Sequence, residues 1–287
     1  MSNLDQLYFG CHVSIRHGYL GAAKNALSVG AQSFQYFPKN PRNIGVKQFD
    51  LADAKACAQF CRENNLQSIA HTPYPTEIAL EDQTLRQQMI LSIINDLEIA
   101  EACGSIGVVV HFGKYKGINP LDGYKLMIET LNQVFTKYNG KARILLENNA
   151  GQGGRIGITL EELVKVRGLT QFPEKIGFCL DTCHAFASGL WTGKNTKEFL
   201  NHGEKLGYFP HLMAIHLNDS MYPARSFRDR HANIGRGHID VKYMKKLLEI
   251  PYVKEIPIVL ETPTSNIYSH KDELLFLQQV MNEKVTV

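Results

Sequence analysis

The chain has 287 residues, 44% apolar and 21% charged, which supports a sizeable core and excludes a disordered protein. No apolar run approaches the roughly 20 residues that span a bilayer, and Met1-Ser-Asn-Leu-Asp-Gln6 lacks the features of a secretion signal, so a cytoplasmic protein without a membrane partner is expected. A net charge of +3, spread along the chain, permits a polyanionic partner without demanding one.

Short apolar or β-branched runs alternate with longer amphipathic stretches. In chain order, a strand over Leu7–Ser14 precedes a helix over 18–30, Ser33–Phe37 precedes 47–65, Ser68–His71 precedes 81–103, and Ile106–His111 precedes 120–139. Arg143–Asn148 then precedes 159–169, Ile176–Asp181 precedes 194–208, Leu212–Leu217 precedes 240–249, and Pro257–Thr262 precedes 270–283. Runs such as Ile106-Gly-Val-Val-Val110 are nearly continuous in apolar residues, as in a parallel sheet covered by helices. Eight such units predict an α/β fold, a (β/α)8 TIM barrel formed as a single domain over 1–287. A doubly wound nucleotide-binding sheet is disfavoured, because Gly10-Cys-His-Val-Ser14 stands where G-x-G-x-x-G belongs.

Six strands end on or beside a potential metal ligand: His71, His111, Glu147, Asp181 with His184, His216 and Glu261. Asp229-Arg-His231 follows in a long loop after the seventh strand. A barrel brings all these ends to one face. Any one of them alone reads as a satisfied polar group or a helix cap. Nine together would repel or stay unpaired unless cations held them. Five imidazoles and four carboxylates exceed the needs of one ion, so two or three are expected. The donor set favours zinc, with manganese or iron next, over calcium or magnesium.

The remaining candidates have plainer readings. The six cysteines, at 11, 57, 61, 103, 179 and 183, are expected to be reduced, and Cys179 and Cys183 to be buried residues rather than ligands. His12 is either a contact beside the ligands or a structural hydrogen-bonding group. His17, His202, His211, His238 and His270 read as surface residues. Gly151-Gln-Gly-Gly154 lacks the Lys-Ser/Thr of a phosphate loop and reads as a flexible turn, and Lys39-Asn-Pro-Arg42 as a solvated one.

Six segments together resemble the endonuclease IV family of zinc-dependent apurinic/apyrimidinic (AP) endonucleases. They are His71-Thr-Pro-Tyr74, Leu146-Glu-Asn-Asn-Ala-Gly-Gln-Gly153, Asp181-Thr-Cys-His-Ala-Phe-Ala187, His216-Leu-Asn-Asp-Ser220, Asp229-Arg-His-Ala-Asn-Ile-Gly235 and Leu260-Glu-Thr262. The resemblance covers nearly the whole chain, in family order. It implies three zinc ions, with manganese or iron an alternative at one position: one on His71, His111 and Glu147, one on Glu147, Asp181, His216 and Glu261, and one on His184, Asp229 and His231. Glu147 and Glu261 are the ligands it places at the chemistry. The implied partner is damaged double-stranded DNA containing AP sites, engaged by a monomer. Cleavage would fall 5′ to the lesion, leaving a 3′-hydroxyl and a 5′-deoxyribose phosphate, with 3′-end trimming as a related activity. By the same resemblance Arg42 and Tyr74 would penetrate or pack against bent DNA.

Two stretches depart from the pattern. His111-Phe-Gly113 stands where many members read His-Pro-Gly, and Pro75-Thr-Glu-Ile78 where many carry Ile-Asn; both bear on substrate fit. A metal-dependent sugar isomerase or epimerase shares this barrel, but the set His184, Asp229 and His231 exceeds its needs. A lesion-binding protein without catalysis would not retain all nine ligands.

Overall fold

Segments such as Gly107-Val-Val-Val-His111 send apolar side chains to both faces of a strand, and both faces are covered. A computed structural model of the chain describes residues 7–115 and 117–282. Seven successive strands, β1 (Tyr8–His12), β2 (Ser33–Tyr36), β3 (Gln67–His71), β4 (Gly107–His111), β5 (Arg143–Glu147), β6 (Ile176–Asp181) and β7 (Leu212–His216), lie side by side in parallel. A short antiparallel ribbon follows, β8 (Asp219–Ser220) with β9 (His231–Ala232). The strand β10 (Pro257–Leu260) then pairs in parallel with both β7 and β1 and closes an eight-stranded barrel. The fold is a (β/α)8 TIM barrel.

Helices α1 (Gly18–Ser28), α2 (Leu51–Glu63), α3 (Gln83–Ala102), α4 (Pro120–Lys137), α5 (Leu160–Leu169), α6 (Thr182–Ser188), α7 (Thr196–Leu206) and α8 (Val241–Leu248) connect the strands, and α9 (His270–Asn282) follows the last. Side-chain caps set several starts. Asp50 accepts from the amides of Ala52 and Asp53, so α2 begins later than the expected 47. The preceding Lys47 amide donates instead to Asn95 Oδ1 of α3, at 2.8 Å. Thr159 and Glu162 form a capping box at the start of α5. The sequence reading contains no α6, because Thr182-Cys-His-Ala-Phe-Ala187 is buried all round and has no polar face to reveal a helical period.

Inside the barrel lies a separate apolar layer of Ile69, Val109, Leu145, Cys179, Ala214 and Val259. The larger core fills the space between strands and helices. Gly10 permits the closest strand approach: a Cβ there would lie 1.6 Å from the Ser33 carbonyl oxygen. All six cysteines are free and buried. Among the described residues no helix is long and apolar enough to cross a membrane.

Candidate metal centre

Side chains two apart on a strand point to the same side. Ile69, Val109, Leu145, Cys179, Ala214 and Val259 face inward, so the residues two positions on, His71, His111, Glu147, Asp181, His216 and Glu261, do so too. Each apolar floor residue thus places one polar group one layer higher, at the C-terminal mouth where barrels build their active sites. His184 joins from the first turn of α6, held there by Asp181, whose Oδ1 accepts from the His184 amide at 2.7 Å. Asp229 and His231 come from the loop between β8 and β9 and the start of β9.

These nine residues fall into three groups, each with its potential ligand atoms within 4.8 Å of one another: His71, His111 and Glu147; Glu147, Asp181, His216 and Glu261; and His184, Asp229 and His231. Glu147 belongs to two. A further grouping takes Cys183 with Asp181 and His231, but the Cys183 thiol donates to the Arg230 carbonyl at 3.6 Å, and burial and the Asp181 charge oppose its ionisation.

The imidazoles are oriented for ligation. A carbonyl oxygen can only accept, so a ring nitrogen that meets one must carry the proton, and the other nitrogen presents its lone pair. His71 Nδ1 meets the Thr72 carbonyl at 2.7 Å, His184 Nδ1 the Asn148 carbonyl at 2.9 Å, and His231 Nδ1 the Glu261 carbonyl at 3.3 Å. His216 is turned the other way, with Nε2 at 2.7 Å from Gln35 Oε1 and Nδ1 toward the carboxylates. Three of the atoms aimed inward, His184 Nε2, His231 Nε2 and Glu147 Oε2, are buried and lack an aligned hydrogen bond. His184 Nε2 nevertheless lies 3.1 Å from Asp229 Oδ1, and Glu147 Oε2 lies 3.1 Å from His111 Nε2. Such a facing pair in a buried site needs a cation between its atoms: a proton on the imidazole, which Asp181 and Asp229 favour at His184 against its burial, or a metal ion in its place. The donor set therefore fits metal.

The acids share supporting amides. Asn218 Oδ1 accepts from the Glu261 amide at 2.9 Å, while its Nδ2 donates to Asp181 Oδ2 at 2.8 Å. Asn148 brackets the Asp181 backbone, accepting from its amide at 2.8 Å and donating to its carbonyl at 3.1 Å. Gln35 Nε2 donates to Glu261 Oε1 at 2.7 Å. Burial opposes charge on Glu261, yet in the metal-free site the protonated His216 imidazole, with its neighbours, holds the carboxyl down to about 2. Glu147 is likewise held well below the carboxylate range, with His216 and His111 outweighing its burial. The acids stay ionised, as ligands must.

A family model described as a xylose isomerase-like TIM barrel matches residues 23–280. The "Probable endonuclease 4" of Symbiobacterium thermophilum is 40% identical over 272 residues, 95% of this chain and 99% of that protein. The "Probable endonuclease 4" of Akkermansia muciniphila is 33% identical over 273 residues, 95% and 98% of the two chains. The crystal structure of endonuclease IV from Thermus thermophilus matches at a TM-score of 0.84 and 27% identity, over 96% of this chain and 100% of that one. The chain belongs to the endonuclease IV family. A D-tagatose 3-epimerase-like protein, with a TM-score of 0.68 at 21% identity over 98% and 100% of the two chains, shares the fold alone.

Above the ligands of this endonuclease IV family member opens a cavity of about 290 Å³. Tyr74 stands on its wall, 67% exposed, with its ring 5.0 Å from Phe37 in an edge-on contact. The Tyr74 amide donates to the Pro41 carbonyl at 2.9 Å, which ties that wall to the turn bearing the exposed Arg42. His12 also lines the cavity and bonds Gln35 through Nδ1 at 3.1 Å. His270, read from the sequence as a surface residue, belongs to the wall as well, with Nε2 at 3.0 Å from the Thr262 carbonyl. Its place at the start of α9, just past the last ligand strand, is the signal that would have found it. Gln35 escapes the sequence reading too, although a glutamine within the buried run Ser33-Phe-Gln-Tyr36 is conspicuous.

Lys39 is buried, with Nζ at 3.0 Å from Asp96 Oδ1, not in a solvated turn. The Gly151–Gly154 turn packs against the loop that carries Phe227. Phe112, one of the two departures from the family pattern, is fully buried in the core between strands and helices, as is Ile78 of the other.

Proposed function

We propose that this protein is a zinc-dependent AP endonuclease of DNA repair, acting in the cytoplasm as a monomer on damaged double-stranded DNA. It hydrolyses the phosphodiester bond 5′ to an apurinic/apyrimidinic site, leaving a 3′-hydroxyl and a 5′-deoxyribose phosphate, and trims blocked 3′ ends. The observation that carries the reading is the sharing of Glu147 between two ligand groups beside a third: three adjacent cation positions suit a phosphoryl group, whose charge spreads over several oxygens.

His71, His111 and Glu147 would hold the first ion, Glu147, Asp181, His216 and Glu261 the second, and His184, Asp229 and His231 the third. Zinc suits these donors, and manganese or iron suits one position. When bound, such ions lower the pKa of water and offset charge on the phosphoryl group. The chain's own residues do the rest. Gln35 and Asn218 fix Glu261 at the cavity floor, where its side chain is 18% exposed and would face the substrate. Glu147, 1% exposed, lies out of reach of DNA and would act as the bridge. His111 and Asp229, each 40% exposed, border the approach of the phosphate. Tyr74 and Arg42 would enter the duplex and compensate for lost stacking as the abasic nucleotide leaves the helix, an exit that is cheapest where the base is already missing.

The test is incision of a duplex carrying one AP site, with product ends identified, in the presence and absence of chelator. Metal-dependent cleavage on the 5′ side is expected; metal-independent cleavage, or cleavage on the 3′ side, contradicts the reading.

A further inference from the structure

Two of the nine ligands, Asp229 and His231, do not sit on a barrel strand or on the helix capped by one. His231 is tied back to β10 through its contact with the Glu261 carbonyl. Asp229 depends on its loop, and the turn after β5 grips that loop. Gln152 Oε1 accepts from the Asp229 amide at 2.9 Å. Gly151, at φ +84°, leaves the space that Phe227 fills: a Cβ there would lie 2.6 Å from Phe227 Cδ1. The Arg155 guanidinium covers the same ring from 4.5 Å. On the other side the loop is bound to α6, which carries His184: the Arg225 amide donates to the Phe186 carbonyl at 3.2 Å and the Phe227 amide to the Ala187 carbonyl at 3.0 Å. Arg225 and Phe227 adopt φ of +64° and +55°, a conformation that non-glycine residues keep only where their surroundings impose it.

We propose that Gln152 and Phe227 are positioning residues that lock Asp229 beside His184 and His231, so that the third ligand group closes only when the two loops are docked. The strand-borne groups do not depend on this interlock. The proposal rests on the three-ion reading above, and its test separates the two.

Gln152→Leu removes the acceptor for the Asp229 amide, Gln152→Glu keeps it, and Phe227→Ala empties the space over Gly151. Zinc titration of the metal-free proteins should show one of three ions bound about 10- to 100-fold more weakly in Gln152→Leu and Phe227→Ala. The other two should be unchanged, which also shows that the barrel is folded, and Gln152→Glu should bind all three like wild type. Hydrogen exchange in the metal-free proteins reads the lock without any ion: the Asp229 amide should exchange at least about tenfold faster in Gln152→Leu, near the wild-type rate in Gln152→Glu. Unchanged exchange in Gln152→Leu overturns the interlock, as does undiminished binding of all three ions. A wild type that binds fewer than three ions contradicts the three-ion reading instead, and the exchange comparison then decides the interlock alone.

Discussion

Glu147 meets His216 Nδ1 through Oε1 at 2.8 Å and turns its other oxygen toward His71 and His111, at 3.6 and 3.1 Å. One carboxylate at the end of β5 thus serves two neighbouring ligand groups. Gln has the same shape but brings a neutral amide with two donors to atoms that must accept a cation. Glu147→Gln should therefore lower the affinity of two ions rather than one, each by at least about 100-fold, and reduce AP-site incision by more than that. Elemental analysis of purified protein checks it; retention of three ions would remove Glu147 from its bridging role.

Glu261 is the group whose chemistry and binding should separate. Glu261→Gln alters the charge at the open side of the site, so turnover should fall by several orders of magnitude. Affinity for AP-site duplex should change by less than about tenfold, since phosphate contacts elsewhere supply most of it. Single-turnover incision and equilibrium binding measured on the same preparation decide this. Near-normal cleavage would take Glu261 out of the site.

Tyr74 and Arg42 belong to no ligand group, so replacing both with Ala should leave the ion count intact. Preference for AP-site over intact duplex should drop by about 1–3 kcal/mol, the scale of a lost stacking contact. Removal of a 3′-blocking group from a frayed end, where little stacking must be broken, should suffer less. Equal loss on both substrates, or none on either, would show that these residues do not read damage.

Strand-borne features are legible in the sequence, because a period of two and an apolar run leave a direct trace. A polar ligand after Ile69-Ala, Val109-Val or Leu145-Leu is the next inward position of the same strand. What escapes depends on contacts between distant segments. Nothing local in Lys39-Asn-Pro-Arg42 reveals that Lys39 reaches Ser92 and Asp96 of α3. Nothing in Gly151-Gln-Gly-Gly154 reveals that Phe227, far along the chain, fills the space over Gly151. Helix α6 escapes because it is too short and too buried to show an amphipathic pattern.

The buried Lys39–Asp96 pair gives stability a pH dependence. Lys39 Nζ donates to Ser92 O and Oγ, both at 2.8 Å, and lies 3.0 Å from Asp96 Oδ1. Burial pushes the Asp96 carboxyl up to about 7, against the opposing pull of Lys39. With the folded-state value raised, the contribution is full below about 4 and is lost as pH rises through 7. Between pH 5 and 8, wild type should lose roughly 2 to 3 kcal/mol relative to Asp96→Asn. Urea unfolding of both proteins in chelator measures it, and parallel pH profiles would show that Asp96 does not titrate in this range.

Adding zinc stepwise to the metal-free protein, while following both bound ion and incision of a duplex with a single AP site, joins the ligand geometry to the reaction. Binding should saturate at about three ions per chain, and full incision, with 3′-hydroxyl and 5′-deoxyribose phosphate ends, should appear only as the last of them binds. Full incision at one zinc per chain, or incision that persists in chelator, would contradict the account.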